Sequence, residues 1–143
     1  MKVEAITFAN RAAIEDGLLQ IEGAGWEYVR PPLFPATISG YVAGVLALDK
    51  SEHHELTEVR LKVRDDDGQI ARFRASIVAD GARPKAAAGV PFRVPFAIPF
   101  TIVARGPTVM KASLESDRKK LAVIACSIDD STPDSLPQGF GSA

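Results

Sequence analysis

Hydrophobic and polar residues alternate along most of this chain with a period of two. In residues 58–64, charged residues alternate with valine and leucine, and in residues 71–77 alanine, phenylalanine and isoleucine alternate with arginine and serine. A third run, residues 92–102, has an aromatic or β-branched residue at every second position. Successive side chains of a strand point to opposite faces of a sheet, so this pattern predicts strands with one buried and one solvated face.

The complete pattern predicts an all-β chain, and only residues 10–17 suggest a short helical turn. Turn residues separate the strands, which favours a two-sheet antiparallel β-sandwich, with a closed β-barrel as the alternative. We expect a sandwich domain over residues 1–128 and a disordered acidic tail over residues 129–143. The eight predicted strands cover residues 2–10, 18–29, 37–48, 55–65, 69–79, 92–104, 107–115 and 121–128.

For one hairpin the sequence predicts which residues of the two strands lie opposite each other. A three-residue loop of Asp66, Asp67 and Gly68 pairs Asp65 with Gln69, and the glycine supplies the left-handed conformation that the last loop position requires. A loop one residue shorter or longer would turn the apolar side chains to the wrong face. The register that follows pairs Val59 with Ala75, Leu61 with Phe73 and Val63 with Ala71 on the buried face, and Arg60 with Arg74 and Lys62 with Arg72 on the solvated face.

Prolines and glycines mark irregular places in two of the predicted strands. Pro95 and Pro99 cannot donate a hydrogen bond to a neighbouring strand, so they predict an edge strand, which could accept another chain, or a local interruption. Gly23 and Gly25 lie within an otherwise extended stretch and predict a bulge or the close approach of another backbone. The segment over residues 80–91 has no periodicity and is predicted to be a flexible crossover.

Composition and charge narrow the class of protein. Of the 143 residues, 46% are hydrophobic and 24% charged, which excludes general disorder and allows a core without disulfides. The 17 basic and 18 acidic residues nearly balance, which excludes a polycation built for nucleic acid. The balance hides a separation, because residues 1–58 carry a net −5, residues 59–125 a net +7 and residues 126–143 a net −3.

The predicted hairpin concentrates part of the positive charge on its solvated face. Like charges directly opposite one another destabilise a sheet. Either acids on neighbouring strands, such as Glu58, and solvent offset this repulsion, or an anionic partner does. Candidate partners are an acidic protein surface, another subunit of a homo-oligomer, the acidic tail or a phosphate backbone, and no sequence-specific binding of nucleic acid is expected. The residues of this candidate interaction face are Arg60, Lys62, Arg64, Arg72 and Arg74.

Catalytic and metal-binding patterns are missing from the sequence. Cys126, the only cysteine, lies in an apolar run that is typical of a buried, unreactive thiol. The only histidines, His53 and His54, are adjacent and point to opposite faces of a strand, so they do not form a zinc site. The acidic run before Gly68 predicts a turn rather than a calcium loop. With neither a Gly-x-Ser-x-Gly elbow nor a phosphate loop, we predict no catalytic residue, cofactor or metal.

Several runs of residues are similar to a known pattern. They are Asn10, the run Asp16–Trp26, the proline-rich run Pro31–Pro35, and His54, Leu56, Val59, Leu61, Val63, Asp67 and Gly68. With these residues the chain resembles a family of small bacterial proteins known only as a domain of unknown function, over most of residues 1–128. The resemblance implies a β-sandwich, and it implies no activity, cofactor or site residue.

These observations favour a non-enzymatic interaction or assembly module that self-associates. The first alternative is a carrier of a small molecule or lipid, with room between the sheets beside small residues; a metal-binding or enzymatic protein is the second. Trp26, Tyr28 and Tyr41 could stack on a ligand, but aromatic residues in strands usually belong to the core. An acid at Glu4 argues against a signal peptide and no membrane span is predicted, so we expect a cytoplasmic protein. The small residues that would leave room between the sheets in the carrier alternative are Gly40, Ala43, Gly44 and Ala47.

Overall fold

The part of the chain that the structure describes forms nine β-strands arranged in two sheets. The computed structural model describes residues 1–48, 56–78, 92–117 and 119–130, and it contains no helix within these ranges. Proline, glycine and aspartate occupy the connections, while β-branched and aromatic residues are frequent in the strands. The strands are β1 (Lys2–Glu15), β2 (Leu18–Ala24), β3 (Tyr28–Val29), β4 (Ala36–Leu48), β5 (Leu56–Arg64), β6 (Ile70–Val78), β7 (Phe92–Ala104), β8 (Thr108–Ser116) and β9 (Lys119–Ile128).

The two sheets confirm the predicted β-sandwich. The four-stranded sheet has the order β2-β1-β4-β7, and the five-stranded sheet has the order β3-β9-β8-β5-β6. All pairs are antiparallel except β3 with β9, which is a short parallel pair. In the described residues neither sheet closes on itself, so the barrel alternative is wrong.

The core lies between the two sheets and is built from alternate residues of the strands. In β4 and β7, the apolar residues at every second position are buried, as the two-residue period predicts. Burying one large apolar side chain contributes roughly 1.5–3 kcal/mol, so this layer supplies most of the driving force for folding. Large, fully buried side chains include Phe8, Val42, Leu46, Ile98 and Phe100 of the four-stranded sheet and Val59, Leu61, Val63, Met110, Leu114 and Ile128 of the five-stranded sheet.

The β5–β6 hairpin has the predicted register at every pair. Val59 lies opposite Ala75, Leu61 opposite Phe73 and Val63 opposite Ala71, and the cationic pairs lie on the other face. Gly68 has φ +86°, and the Asp65 amide donates to the Gln69 carbonyl at 3.2 Å. Oδ1 of the buried Asp65 accepts hydrogen bonds from the amides of Asp67 and Gln69 at 3.0 and 2.9 Å. The carboxylate of Asp65, the residue before the loop, therefore stabilises the loop conformation.

Strand β7 is an edge of its sheet, as its prolines predict. Among the described strands it pairs with β4 alone, with Pro95 opposite Val45 and Pro99 opposite Tyr41. The missing N–H groups of proline are tolerated at such a position. Across β4, Arg93 Nε of this strand contacts a Glu4 carboxylate oxygen of β1 at 2.6 Å.

The first strand is longer than predicted, and residues 10–17 form no helical turn. Asp16 and Gly17 have φ +51° and +75°, which is the conformation of a two-residue hairpin turn of type I′. At Ala9 the strand changes partners, because its first half pairs with β4 and its second half with β2. Residues 10–24 therefore form a two-stranded ribbon, which we call the arm.

The strand predicted over residues 18–29 is in fact two strands in different sheets. Gly23 and Gly25 have φ +62° and +83°, and the Gly25 amide donates to the Phe8 carbonyl at 3.1 Å. A Cβ at Gly23 would overlap the side chain of Asn10, so this glycine allows the close approach of a side chain and not of the predicted backbone, while the Cβ position of Gly25 is open. The chain then crosses from the arm to β3 through Trp26, because left-handed residues end a regular strand.

Some predicted features lie outside the described residues. These are His53 and His54, the whole of the predicted crossover over residues 80–91, and residues 131–143 of the predicted tail. Asp129, the first residue of that tail, is attached to the sandwich, because its amide donates to the Val29 carbonyl at 2.9 Å.

Candidate functional site

The outer face of the five-stranded sheet brings the five predicted cations together. Arg60 lies opposite Arg74 and Lys62 opposite Arg72 across β5 and β6, and Arg64 follows at the end of β5. The four arginines are exposed and Lys62 is half-buried. Directly opposite side chains on one face lie roughly 5 Å apart at Cβ, so the charges interact.

Strand β8 adds residues to this face that the sequence analysis missed. Lys111 lies opposite Arg64, Ser113 opposite Lys62 and Glu115 opposite Arg60. No local signal reveals this, because the β5–β8 pairing joins strands that are distant in the chain. We call the six basic residues the basic face: Arg60, Lys62, Arg64, Arg72, Arg74 and Lys111.

Only part of the positive charge on the basic face is compensated. Arg74 Nε lies 3.7 Å from a carboxylate oxygen of Glu58, and the two side chains are 78% and 54% exposed. Such an exposed pair is worth about 0–1 kcal/mol. No other member of the basic face has a carboxylate of the described residues within 4.0 Å. Glu58 thus offsets one cation, as the sequence analysis allowed, and Glu115 opposite Arg60 partly offsets a second. Lys62, Arg64, Arg72 and Lys111 have neither an acid opposite them nor a described carboxylate within 4.0 Å.

A surface depression of about 370 Å³ lies at the hairpin end of the basic face. Arg64 and Lys111 line it together with two apolar side chains, Ile70 and Val109. Ile70 is 43% exposed. The exposed Asp66 also lines it and donates its amide to Thr108 Oγ1 at 3.1 Å. The depression therefore combines two cations and two apolar residues with the acidic residues Asp65 and Asp66, and it does not select an anionic ligand.

The three aromatic candidates have different surroundings. Trp26 stacks on Phe8 with ring centroids 5.8 Å apart, and its Nε1 donates to Asn10 Oδ1 and to the Gly23 carbonyl at 2.9 Å each. It therefore closes one end of the core, as expected of an aromatic residue. Tyr28 is 54% exposed, and the guanidinium of Arg30 lies over its ring, 4.5 Å from the ring centroid.

A second depression of about 530 Å³ lies beside these aromatic residues. The side chains of Trp26 and Tyr28 line it, with Pro31 and Pro32 from the following link. Tyr41, the third aromatic candidate, is half-buried on β4 and instead lines a depression beside the arm. The three rings consequently do not form one stacking platform.

The small residues of β4 leave no space where the carrier alternative needs it. A Cβ added to Gly40 would lie 2.5 Å from the Trp26 ring, and one added to Gly44 would overlap the carbonyl oxygen of Ala5. Ala43 and Ala47 are buried, but as neighbours in register of Ala97 and Arg93 they lie on the face away from the core. Side chains and backbone thus fill the room beside both glycines.

The described residues contain one thiol, that of Cys126, and it is buried. Burial and the nearby carboxylate of Asp129 raise the pKa of the Cys126 thiol to about 11, so it is protonated at neutral pH. Where the structure describes the chain, no three His, Cys, Asp or Glu side chains are grouped to hold a metal ion. The described part also has no helix of the length and apolarity needed to cross a bilayer.

Comparison with known proteins adds no relative. No protein-family model, no curated protein and no solved structure matches the chain. The resemblance stated from the sequence stays a prediction, and the basic face has to be interpreted from its own geometry.

Proposed function

We propose that this protein is a non-enzymatic interaction or assembly module whose basic face binds an acidic protein surface, on another protein or on another copy of the chain. The observation that carries the proposal is the uncompensated charge of the face. Two pairs of cations lie directly opposite each other, and five of the six members have no described carboxylate within 4.0 Å. Such an arrangement costs stability unless an anionic partner relieves it.

The composition of the face favours a protein partner over nucleic acid. Single-stranded nucleic acid is bound by aromatic side chains that stack on bases, and the described outward positions of β5 and β6 carry none. The two acids Glu58 and Glu115 interrupt the positive charge of the face, and a protein surface can space its carboxylates to avoid them, whereas a phosphate backbone is negative along its whole length. Screening at physiological ionic strength acts over about 8 Å, so a partner has to make direct contact. We also propose that the protein acts in the cytoplasm, with which the free, buried thiol of Cys126 is compatible.

The test compares the wild type with the double variant Arg72→Ser/Arg74→Ser. Tagged protein is purified from its host, and bound proteins are identified by mass spectrometry at 0.1 and 0.5 M NaCl. A fluorescent glutamate-rich peptide and a random-sequence DNA duplex serve as defined probes. We expect the variant and high salt to abolish specific capture and to weaken peptide binding by tenfold or more.

The matched control is Lys2→Ser/Arg105→Ser, which removes two exposed cations elsewhere on the surface. It should bind like the wild type. Equal capture and peptide binding by the wild type and the Arg72→Ser/Arg74→Ser variant would contradict the proposal. Tighter binding of the duplex than of the peptide would assign the face to nucleic acid instead.

A further inference from the structure

The exposed edges of the two sheets differ in how they are protected. A free edge has unpaired N–H and C=O groups that can pair with a strand of another chain, and proteins prevent this with prolines, charges or very short strands. Edge strand β7 carries Pro95 and Pro99, edge strand β3 has only two residues, and edge strand β6 carries Arg72 and Arg74. Three of the four edges in the described sheets therefore have a recognised protection.

The fourth edge, β2 of the arm, is seven residues long, and its only charged residue is Glu22, at the end of its regular part. Its sequence is LLQIEGA, with no proline and no basic residue. The arm also exposes apolar side chains, because Ile14, Leu18 and Ile21 are 47%, 65% and 37% exposed. A two-stranded ribbon is marginally stable on its own in water, so the arm gains most from a further strand.

The pattern of β2 is complementary to itself. Gly23, with φ +62°, ends the regular part of the edge, which runs from Leu18 to Glu22 with Gln20 at its centre. A two-fold axis through Gln20 places Leu19 opposite Ile21 of the partner subunit, on the apolar face that Ala12 and Ile14 extend on β1. On this face apolar side chains therefore meet apolar side chains, whereas on the other face Leu18 lies opposite Glu22 of the partner subunit.

The charges of the arm also permit this pairing. Glu22, the only charged residue of β2, lies opposite Arg11 of its own β1. In the arrangement centred on Gln20 the two copies of Glu22 are four positions apart along the strands, or roughly 14 Å at 3.4 Å per residue. No like charges meet across the new pair, which would not hold for the arginine-bearing edge β6.

We propose that β2 pairs antiparallel with β2 of a second copy of this chain, so that the two four-stranded sheets join into one eight-stranded sheet across a two-fold dimer. The inference goes beyond the proposed function, because it uses the opposite sheet and no residue of the basic face. The symmetric contact closes after two copies. The basic faces of both copies stay free for an acidic partner.

The first test measures the mass of the particle by size exclusion with light scattering from 5 to 200 µM. We expect a dimer for the wild type and a monomer for Ile21→Lys, because a lysine on the edge blocks strand addition. The matched control is Val103→Lys, which places the same charge at a valine of 43% exposure on β7 and should remain dimeric. A monomeric wild type over this range, or a dimeric Ile21→Lys, would overturn the proposal.

The second test examines the register without relying on a destabilising variant. Gln20→Cys should form an intermolecular disulfide on mild oxidation, because Cα atoms about 4.5 Å apart across a non-hydrogen-bonded pair suit that bond. Leu18→Cys, whose two copies lie far from the axis, should not crosslink, and neither should the wild type, whose Cys126 is buried. Crosslinking that is equal for Gln20→Cys and Leu18→Cys would contradict the register.

A third variant separates this proposal from the proposed function. Arg72→Ser/Arg74→Ser should leave the dimer unchanged, since both arginines lie on the other sheet. If that variant is monomeric while Ile21→Lys is dimeric, the copies meet through the basic face and the edge pairing is wrong. If the dimer survives and acidic-peptide binding is absent from the wild type, the basic-face function fails and the edge pairing stands.

Discussion

Arg72→Glu tests the charge arrangement of the β5–β6 hairpin most directly. In the native protein Arg72 lies opposite Lys62, and no carboxylate of the described residues is within 4.0 Å of it. The substitution removes one like-charge pair and creates an opposite-charge pair at the same position. Each of these changes is worth about 0.2–1 kcal/mol between directly opposite side chains. We therefore expect the free energy of unfolding to rise by about 1 kcal/mol.

The measurement is thermal and urea unfolding followed by circular dichroism in 20 mM and 1 M NaCl. For a domain of this size, about 1 kcal/mol corresponds to a rise of about 3 °C in Tm. The Debye length falls to about 3 Å at 1 M salt, which is shorter than the roughly 5 Å Cβ separation, so the gain should shrink at high salt.

Arg74→Glu is the matched control for this substitution. It also converts a pair of opposing cations, with Arg60, into an opposite-charge pair. However, it replaces the attraction between Arg74 and Glu58, now 3.7 Å apart, with a repulsion. The two effects offset each other, and the change in Tm should be close to zero. An Arg72→Glu protein that is no more stable than the wild type in 20 mM NaCl, or whose gain is the same in 1 M NaCl, would refute the reasoning.

Three further predictions concern the core, the hairpin loop and the thiol. Gly44→Ala should lower the free energy of unfolding, measured in urea, by about 1–3 kcal/mol, because the added Cβ overlaps the Ala5 backbone. The control Gly106→Ala has open space around its Cβ and should change the free energy of unfolding by less than about 0.5 kcal/mol. Asp65→Ala should cost about 1–3 kcal/mol in the same assay, because two loop amides lose their acceptor, and Asp65→Asn should cost less. Cys126 should resist a disulfide reagent at pH 8 until the protein unfolds; rapid labelling of native protein would contradict its burial. Because its folded pKa of about 11 exceeds the ordinary 9.0, its contribution to stability should be complete below pH 9 and be lost as the pH rises towards 11.

Local information was sufficient for the elements whose geometry is determined by neighbouring residues. The β5–β6 register follows from loop length and from the left-handed Gly68, both contained in a few consecutive residues. The position of β7 at an edge follows from the chemistry of proline, which removes a donor wherever it occurs. The core faces follow from the two-residue period, because burial and solvation alternate along a strand.

Pairing between distant strands required the tertiary structure. The second half of β1 lacks a clear alternation, because neither face of the arm is fully buried, so the extent of this strand was missed. The division of residues 18–29 between two sheets depends on the packing of Trp26 against core residues such as Phe8, which belong to strands distant in the sequence.

The sequence by itself therefore determined the fold class, the hairpin register and five cations of the basic face. Only the tertiary structure decided that Lys111 joins that face and that β2, which has no proline and no basic residue, is an edge of its sheet. The physical reason is that local backbone preferences and side-chain alternation act over a few residues, whereas sheet order depends on burying apolar surface contributed by the whole chain.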